Sequence, residues 1–136
     1  MGALLPKALL TMGIAIAMAI TGCGATDPEG ASRAAERFYA AASAKDGDAA
    51  CEELSETTRK ELERDEQKPC REAVLMLQLS GRRAVRTSAY VTQAKVDLDG
   101  GESAFLEETP HGWRVTAAGC KPTPGPETPY DCEVES

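Results

Sequence analysis

Cysteine constrains the fold of this chain more than any other residue type. The sequence of 136 residues contains five cysteines: Cys23, Cys51, Cys70, Cys120 and Cys132. An odd number leaves at least one thiol without an intramolecular partner. Cys23 is set apart, because it directly follows an apolar segment, whereas the other four are spread through the polar remainder. The role of Cys23 therefore decides how the other four can pair.

The first 22 residues have the pattern of a signal peptide. Lys7 is the only charged residue before Asp27, and the 13 residues 8–20 are apolar or small apart from one threonine. This run is shorter than the roughly 18 residues that a membrane-spanning helix needs. Ile20-Thr21-Gly22-Cys23 resembles the lipobox of bacterial lipoprotein precursors. The resemblance implies cleavage before Cys23, lipid on its thiol, and a domain anchored at the extracytoplasmic face of the cell membrane. An ordinary secretory signal with a chance cysteine and a retained anchor helix are the alternatives.

With Cys23 assigned to lipid, four cysteines remain for an oxidising compartment in which disulfides form. Four cysteines allow three pairings. We favour Cys51–Cys70 and Cys120–Cys132, because each pair lies within one predicted structural neighbourhood. A zinc site is the alternative, but the sequence has no Cys-x-x-Cys pair. We expect no metal and no cofactor.

Length and charge limit the remaining possibilities. The predicted signal takes 22 of the 136 residues, which leaves 114 for one domain with a modest core. Without Lys7 the chain has 14 basic and 22 acidic residues and a net charge of −8. Such an acidic chain is a poor direct partner for nucleic acid or anionic lipid headgroups. The partners we expect are the membrane, through the lipid, and an envelope protein or a small ligand.

The first half of the mature chain has helical periodicity. Asp27 or Ser32 can begin a first helix, and Lys45-Asp46-Gly47 ends it. Asp48 is expected to cap a second helix, and Ser55 or Thr57 a third that buries Leu62. The apolar face predicted for the first helix is Ala34, Ala35, Phe38, Tyr39 and Ala42.

A fourth helix is expected to begin at Pro69 and to stop at Gly81. Its predicted apolar side is Cys70, Ala73, Val74, Met76 and Leu77. Alternating residues then predict strands over 85–91, 94–98, 103–108 and 113–118. Helices followed by an antiparallel meander indicate an α+β domain. Four prolines between residues 121 and 130 predict an extended, polyproline-like strap.

The helices, the meander and one run of residues together resemble a known family, over most of the mature chain. The run Phe105-Leu106 … Gly112-Trp113-Arg114-Val115 … Ala117-Ala118-Gly119-Cys120, with the tail 130–134, resembles small NTF2-like lipoproteins of actinobacteria, which have a cystatin-like fold. The resemblance implies helices packed on a curved antiparallel sheet, as a cone whose mouth can hold a ligand. The expected organisation is signal peptide 1–22, tether 23–30, NTF2-like domain 31–120 and C-terminal strap 121–136. Fold alone does not select a function here.

Few residues suggest chemistry. Tyr39, Tyr90 and Trp113 are candidates for lining the cone, although core packing is the favoured role. His111 is the only histidine and is expected in a solvated turn. The cluster Arg82, Arg83 and Arg86 could bind an anion or discourage strand addition at a sheet edge. No catalytic residue is identified.

The favoured hypothesis is a non-enzymatic lipoprotein domain that binds a protein or small ligand. The alternative is a small-molecule enzyme or carrier that works inside the cone. The interior of the cone discriminates between them, because the alternative needs an open pocket with a buried carboxylate.

Overall fold

The computed structural model describes Gly2 and residues 26–80, 82–127 and 129–136. The predicted signal peptide and Cys23 lie outside these residues. Within them the chain forms four α-helices followed by a six-stranded antiparallel sheet, so the predicted α+β class is confirmed. The helices are α1 (Pro28–Ser43), α2 (Gly47–Glu53), α3 (Glu56–Glu66) and α4 (Cys70–Ala73), and a 3₁₀ turn, Val74–Met76, follows α4.

Helix α1 forms the main helical contact with the sheet. The Asp27 side chain accepts a hydrogen bond from the Gly30 N–H at 2.8 Å, and Pro28 occupies the first turn. The predicted apolar face is buried, with Phe38 and Tyr39 fully inaccessible. Because α1 begins at Pro28, the last three residues of the predicted 23–30 tether belong to the helix.

Two predictions about the shorter helices are wrong. Asp46, not Asp48, caps α2, because its side chain accepts from the Ala49 N–H. Gly47, the first residue of α2, packs its Cα against the Arg71 carbonyl. A Cβ at this position would lie 2.0 Å from the carbonyl oxygen, so only glycine fits without a shift of the backbone. The fourth helix is a single turn that tightens to 3₁₀ geometry, and Met76 is exposed rather than buried. Ser55 does cap α3, and Leu62 is buried as expected.

The sheet is a meander of β1 (Ala84–Tyr90), β2 (Gln93–Leu98), β3 (Ser103–Thr109) and β4 (Gly112–Pro122). Alternate residues face the helices, and the inward row Ala94–Leu106–Val115 runs across three strands. The opposite face carries Lys95 and Phe105, and Tyr130 packs edge-on against Phe105. Two-residue strands β5 (Tyr130–Asp131) and β6 (Val134–Glu135) both pair with β4.

The C-terminal segment differs from the predicted extended strap. Pro122 ends β4, whereas Pro124, Pro126 and Pro129 lie in a loop that turns back, in which the Thr123 N–H donates to the Pro129 carbonyl at 3.0 Å. Strand β5 then pairs with residues 121–122 at the end of β4. The disulfide Cys120–Cys132 closes this loop, and Cys51–Cys70 joins α2 to α4. Both predicted pairings are confirmed.

Candidate functional site

The three candidate aromatic residues lie in different environments. Tyr39 is fully buried, and its hydroxyl oxygen accepts a hydrogen bond from the Gly119 N–H at 2.7 Å. Burial raises the pKa of Tyr39 far above its usual range. Trp113 is also in the core, at 5% exposure, whereas Tyr90 is 69% exposed. The fold therefore does not bring the three together around one cavity.

Side chains fill the space between α1 and the sheet. The largest fully buried ones are Tyr39, Phe38, Leu106, Val74, Val96 and Val115. The buried carboxylate Glu102 is not at a cavity within this core. It lies at the β2–β3 turn, where the Nε of Arg82 donates to it at 3.0 Å. Glu102 is therefore ion-paired with Arg82 and is not a free acid.

The three residues of the arginine cluster, Arg82, Arg83 and Arg86, have different acidic neighbours. Arg82 pairs with Glu102, and the backbone N–H of Arg83 donates to the Asp99 carboxylate at 3.3 Å. Arg86 stands opposite Asp97 in the β1–β2 register. The three residues therefore have different acidic neighbours, and only the Arg82 side chain forms an ion pair with its neighbour.

A recess lies between the α2–α3 corner and the β3–β4 hairpin. It has a volume of about 640 Å³. Its lining residues are Cys51, Glu52, Leu54, Glu56, Thr57, Arg59, Glu107, Thr109, Pro110, His111 and Arg114. We call this recess the corner groove.

Backbone contacts set the position of the corner groove. The Ser55 N–H donates to the Val115 carbonyl at 2.9 Å, and Leu54 forms an isolated parallel bridge with Val115. The buried hydroxyl of Thr58 donates to the Thr116 carbonyl at 3.1 Å. The start of α3 is thereby fixed to the edge of β4, so the helical wall and the hairpin wall keep a constant separation.

The corner groove carries charges of both signs. Arg59 and Arg114 lie among Glu52, Glu56 and Glu107. The hydrogen bond from Lys60 lowers the pKa of Glu56, so this carboxylate stays ionised at neutral pH. His111 lies in an exposed turn, where its backbone N–H donates to the Thr109 hydroxyl. A groove of this kind suits a partner with several polar or charged groups better than an apolar small molecule.

A second recess of about 400 Å³ adjoins the corner groove and shares Cys51, Glu52 and Arg59 with it. The disulfide Cys51–Cys70 lies along this recess. The Glu63 carboxylate accepts from the Cys70 N–H at 2.9 Å and holds the start of α4 against α3. Sequence reasoning missed the corner groove, because its walls come from segments about 50 positions apart and no motif links them. It also missed the second recess, whose lining residues lie between positions 48 and 71 and form no motif.

Neither a metal site nor a membrane span is found in the part of the chain that the structure describes. Its histidine, cysteine and acidic side chains form no group of three or more that could hold a metal ion. None of its helices is long and apolar enough to cross a membrane. The predicted lipidation residue, Cys23, lies outside the described residues.

Comparison of the chain with family models, with curated proteins and with solved structures finds no match.

Proposed function

We propose that this chain is a lipoprotein, anchored through Cys23 at the outer face of the cytoplasmic membrane, whose domain binds a partner at the corner groove. The cysteine arrangement carries the proposal. The disulfides pair Cys51 with Cys70 and Cys120 with Cys132. The remaining cysteine is therefore Cys23, the one that ends the lipobox-like sequence Ile20-Thr21-Gly22-Cys23.

A binding role at the surface agrees with the packing of the domain. The helices and sheet bury their apolar faces against each other, and the polar corner groove remains accessible. Four helices followed by an antiparallel meander also support the proposed NTF2-like relationship. A protein segment or a small ligand with groups of both charges would complement Glu52 and Arg59 on the helical wall and Glu107 and Arg114 on the hairpin wall.

Mass spectrometry of the protein purified from bacterial membranes tests the anchor. The N-terminal peptide should begin at Cys23 and carry a diacylglyceryl group. The Cys23→Ala variant should accumulate as uncleaved precursor. An unmodified Cys23 peptide, or normal cleavage of the alanine variant, would contradict the proposal.

Proximity labelling in intact envelopes tests the groove. The double charge reversal Arg59→Glu and Arg114→Glu should remove specific proteins from the labelled set. The matched control is Arg64→Glu, since Arg64 is an exposed α3 arginine paired with Glu61 outside the groove. Identical labelling by the wild type and the double variant would argue against a protein partner at this groove. Thermal melting of the protein with candidate small ligands tests whether the partner is a small ligand.

A further inference from the structure

The start of α1 and the tips of two hairpins lie at the same end of the domain. We call this end the anchor end. The β1–β2 turn, Val91-Thr92, and the β3–β4 turn, Pro110-His111, lie side by side there. The Glu108 N–H donates to the Thr92 carbonyl at 2.8 Å and ties the two hairpins together.

The direction of α1 brings its first turn to the same end. A Cβ atom at Gly30, in that turn, would lie 3.0 Å from Cδ1 of Trp113, at the beginning of β4. Farther along the helix, Glu36 accepts from the Ala84 N–H, at the beginning of β1. Strand β1 starts at the opposite end of the sheet, so α1 runs away from the two hairpin tips.

The sequence places the proposed lipid close to this end. Cys23 precedes Asp27, the N-cap of α1, by only four residues. Even a fully extended chain spans at most about 3.5 Å per residue, or roughly 14 Å in total. If Cys23 carries the lipid, as proposed above, the start of α1 lies within about that distance of the lipid.

The anchor end presents apolar side chains that the fold does not use. Tyr90 is 69% exposed and Val91 is 78% exposed. Val91 also has a φ of 47°, in the left-handed region that is unfavourable for a β-branched residue. Asparagine and glycine are the usual residues at such a two-residue turn. An exposed valine there is unfavourable both for the turn and for solubility, and this points to a contact outside the domain.

We propose that the tip of the β1–β2 hairpin, Tyr90 to Thr92, rests in the interface of the lipid bilayer beside the acylated Cys23. This inference rests on the proposed lipid anchor. Tyrosine favours the headgroup region, where its ring meets apolar chains and its hydroxyl meets water. The neighbouring charges Glu107 and Arg114 stand opposite each other in the β3–β4 register and offset one another. The contact is apolar and does not depend on anionic lipid.

Two tryptophan reporters on one strand provide the test. Tyr90→Trp places an indole at the anchor end, and Val85→Trp places one at the far end of β1, where the native side chain is 66% exposed. The full lipidated protein is reconstituted in phosphatidylcholine vesicles with brominated acyl chains. The signal of Trp113, the only native tryptophan, is measured in the parent protein and subtracted.

Bromine should quench the Tyr90→Trp reporter at least about twofold more than the Val85→Trp reporter, because interfacial segments lie within about 5–10 Å of the acyl boundary. Adding Val91→Asn to Tyr90→Trp should reduce the quenching without lowering the melting temperature, since asparagine tolerates positive φ. If Tyr90→Trp does not fold, Thr92→Trp reports on the same turn.

The outcomes separate the two proposals. A purified protein without diacylglycerol on Cys23 overturns the anchor and this inference together. A lipidated, vesicle-bound protein whose reporters at the two ends are quenched equally overturns the inference and leaves the anchor intact. Stronger quenching at the anchor end that Val91→Asn reduces supports the proposed contact.

Discussion

The two edges of the sheet are stabilised in different ways. Along β4, the Ser55 N–H binds the Val115 carbonyl, β6 pairs with residues 117–118, and Cys120 is bonded to Cys132. Along β1, a single side chain, Glu36, accepts from the Ala84 N–H, and β1 has no second strand neighbour among the described residues. Segments before and after the meander cover the β4 edge, whereas in the described part of the chain only helix α1 contacts the β1 edge through Glu36. We therefore expect substitutions along β4 to have the larger effects.

Removal of a disulfide should have the largest effect on stability. Cys120→Ala with Cys132→Ala opens a loop with a sequence separation of 12. Urea unfolding should show a loss of about 3 kcal/mol in the free energy of unfolding. The Glu133 N–H, next to β6, donates to the Ala118 carbonyl of β4 at 3.0 Å. Strands of two residues do not persist without support, so this amide should also lose protection from hydrogen exchange. The control, Cys51→Ala with Cys70→Ala, should lower stability but leave that amide protected. Full protection of Glu133 in the first variant would show that β6 does not depend on the bridge.

Tyr39→Phe should have the next largest effect. It removes the oxygen that accepts from the buried Gly119 N–H, and an unsatisfied buried donor costs about 1–3 kcal/mol. Chemical denaturation measures the change. Tyr90→Phe is the matched control on an exposed ring and should stay within about 0.5 kcal/mol of the wild type. Equal effects of the two substitutions would show that the hydrogen bond between Tyr39 and Gly119 does not stabilise the β4 edge.

At the β1 edge, Glu36→Ala should destabilise the domain by about 1 kcal/mol, because the Ala84 N–H loses its acceptor. Hydrogen exchange at Ala84 should accelerate. Glu36→Gln keeps an acceptor oxygen and should retain most of the protection. If Glu36→Ala lowered the free energy of unfolding as much as the disulfide variant does, the proposed difference between the β1 and β4 edges would be contradicted.

The smallest effect is expected on the outer face of the sheet. The hydrogen bond from Lys95 is the main cause of the lowered pKa of Asp97, and the Ser103 hydroxyl adds to it. Because the folded-state pKa is lowered, the pair contributes stability above the ordinary pKa of about 3.9 and loses it as pH falls through the lowered value. Asp97→Asn should therefore cost less than about 1 kcal/mol at neutral pH. Unfolding curves of both proteins should converge in acid, and a constant difference down to about pH 2 would contradict this assignment.

Local patterns predicted much of the fold. The spacing of Ala34, Phe38 and Ala42 predicted the buried face of α1, and the structure confirms it. Alternation predicted the four long strands to within a few residues. The cysteine pairing followed from neighbourhood along the chain, because both bridges join segments that are close in sequence.

Contacts between distant segments could not be predicted in this way. Ser55 and Val115 meet across 60 positions, and this contact holds the helical wall of the corner groove against the hairpin wall. The prolines of the C-terminal loop favour extended backbone, yet pairing of β5 with β4 turns the chain back. Met76 follows the helical period, but the change to 3₁₀ geometry after Ala73 turns it to solvent. In each case tertiary contacts override the local preference.

The hydroxyl of Tyr39 and the backbone of Gly119 also provide a way to recognise distant relatives. Gly119 has a φ of 67°, and a Cβ there would lie 2.6 Å from the Glu133 side chain. Gly47 is equally confined by the carbonyl of Arg71. A chain that shares this architecture should therefore keep a glycine at the first position of its second helix, a tyrosine in its first helix, and a Gly-Cys pair near the end of its longest strand. Such a sparse signature could survive after the rest of the sequence has diverged beyond alignment.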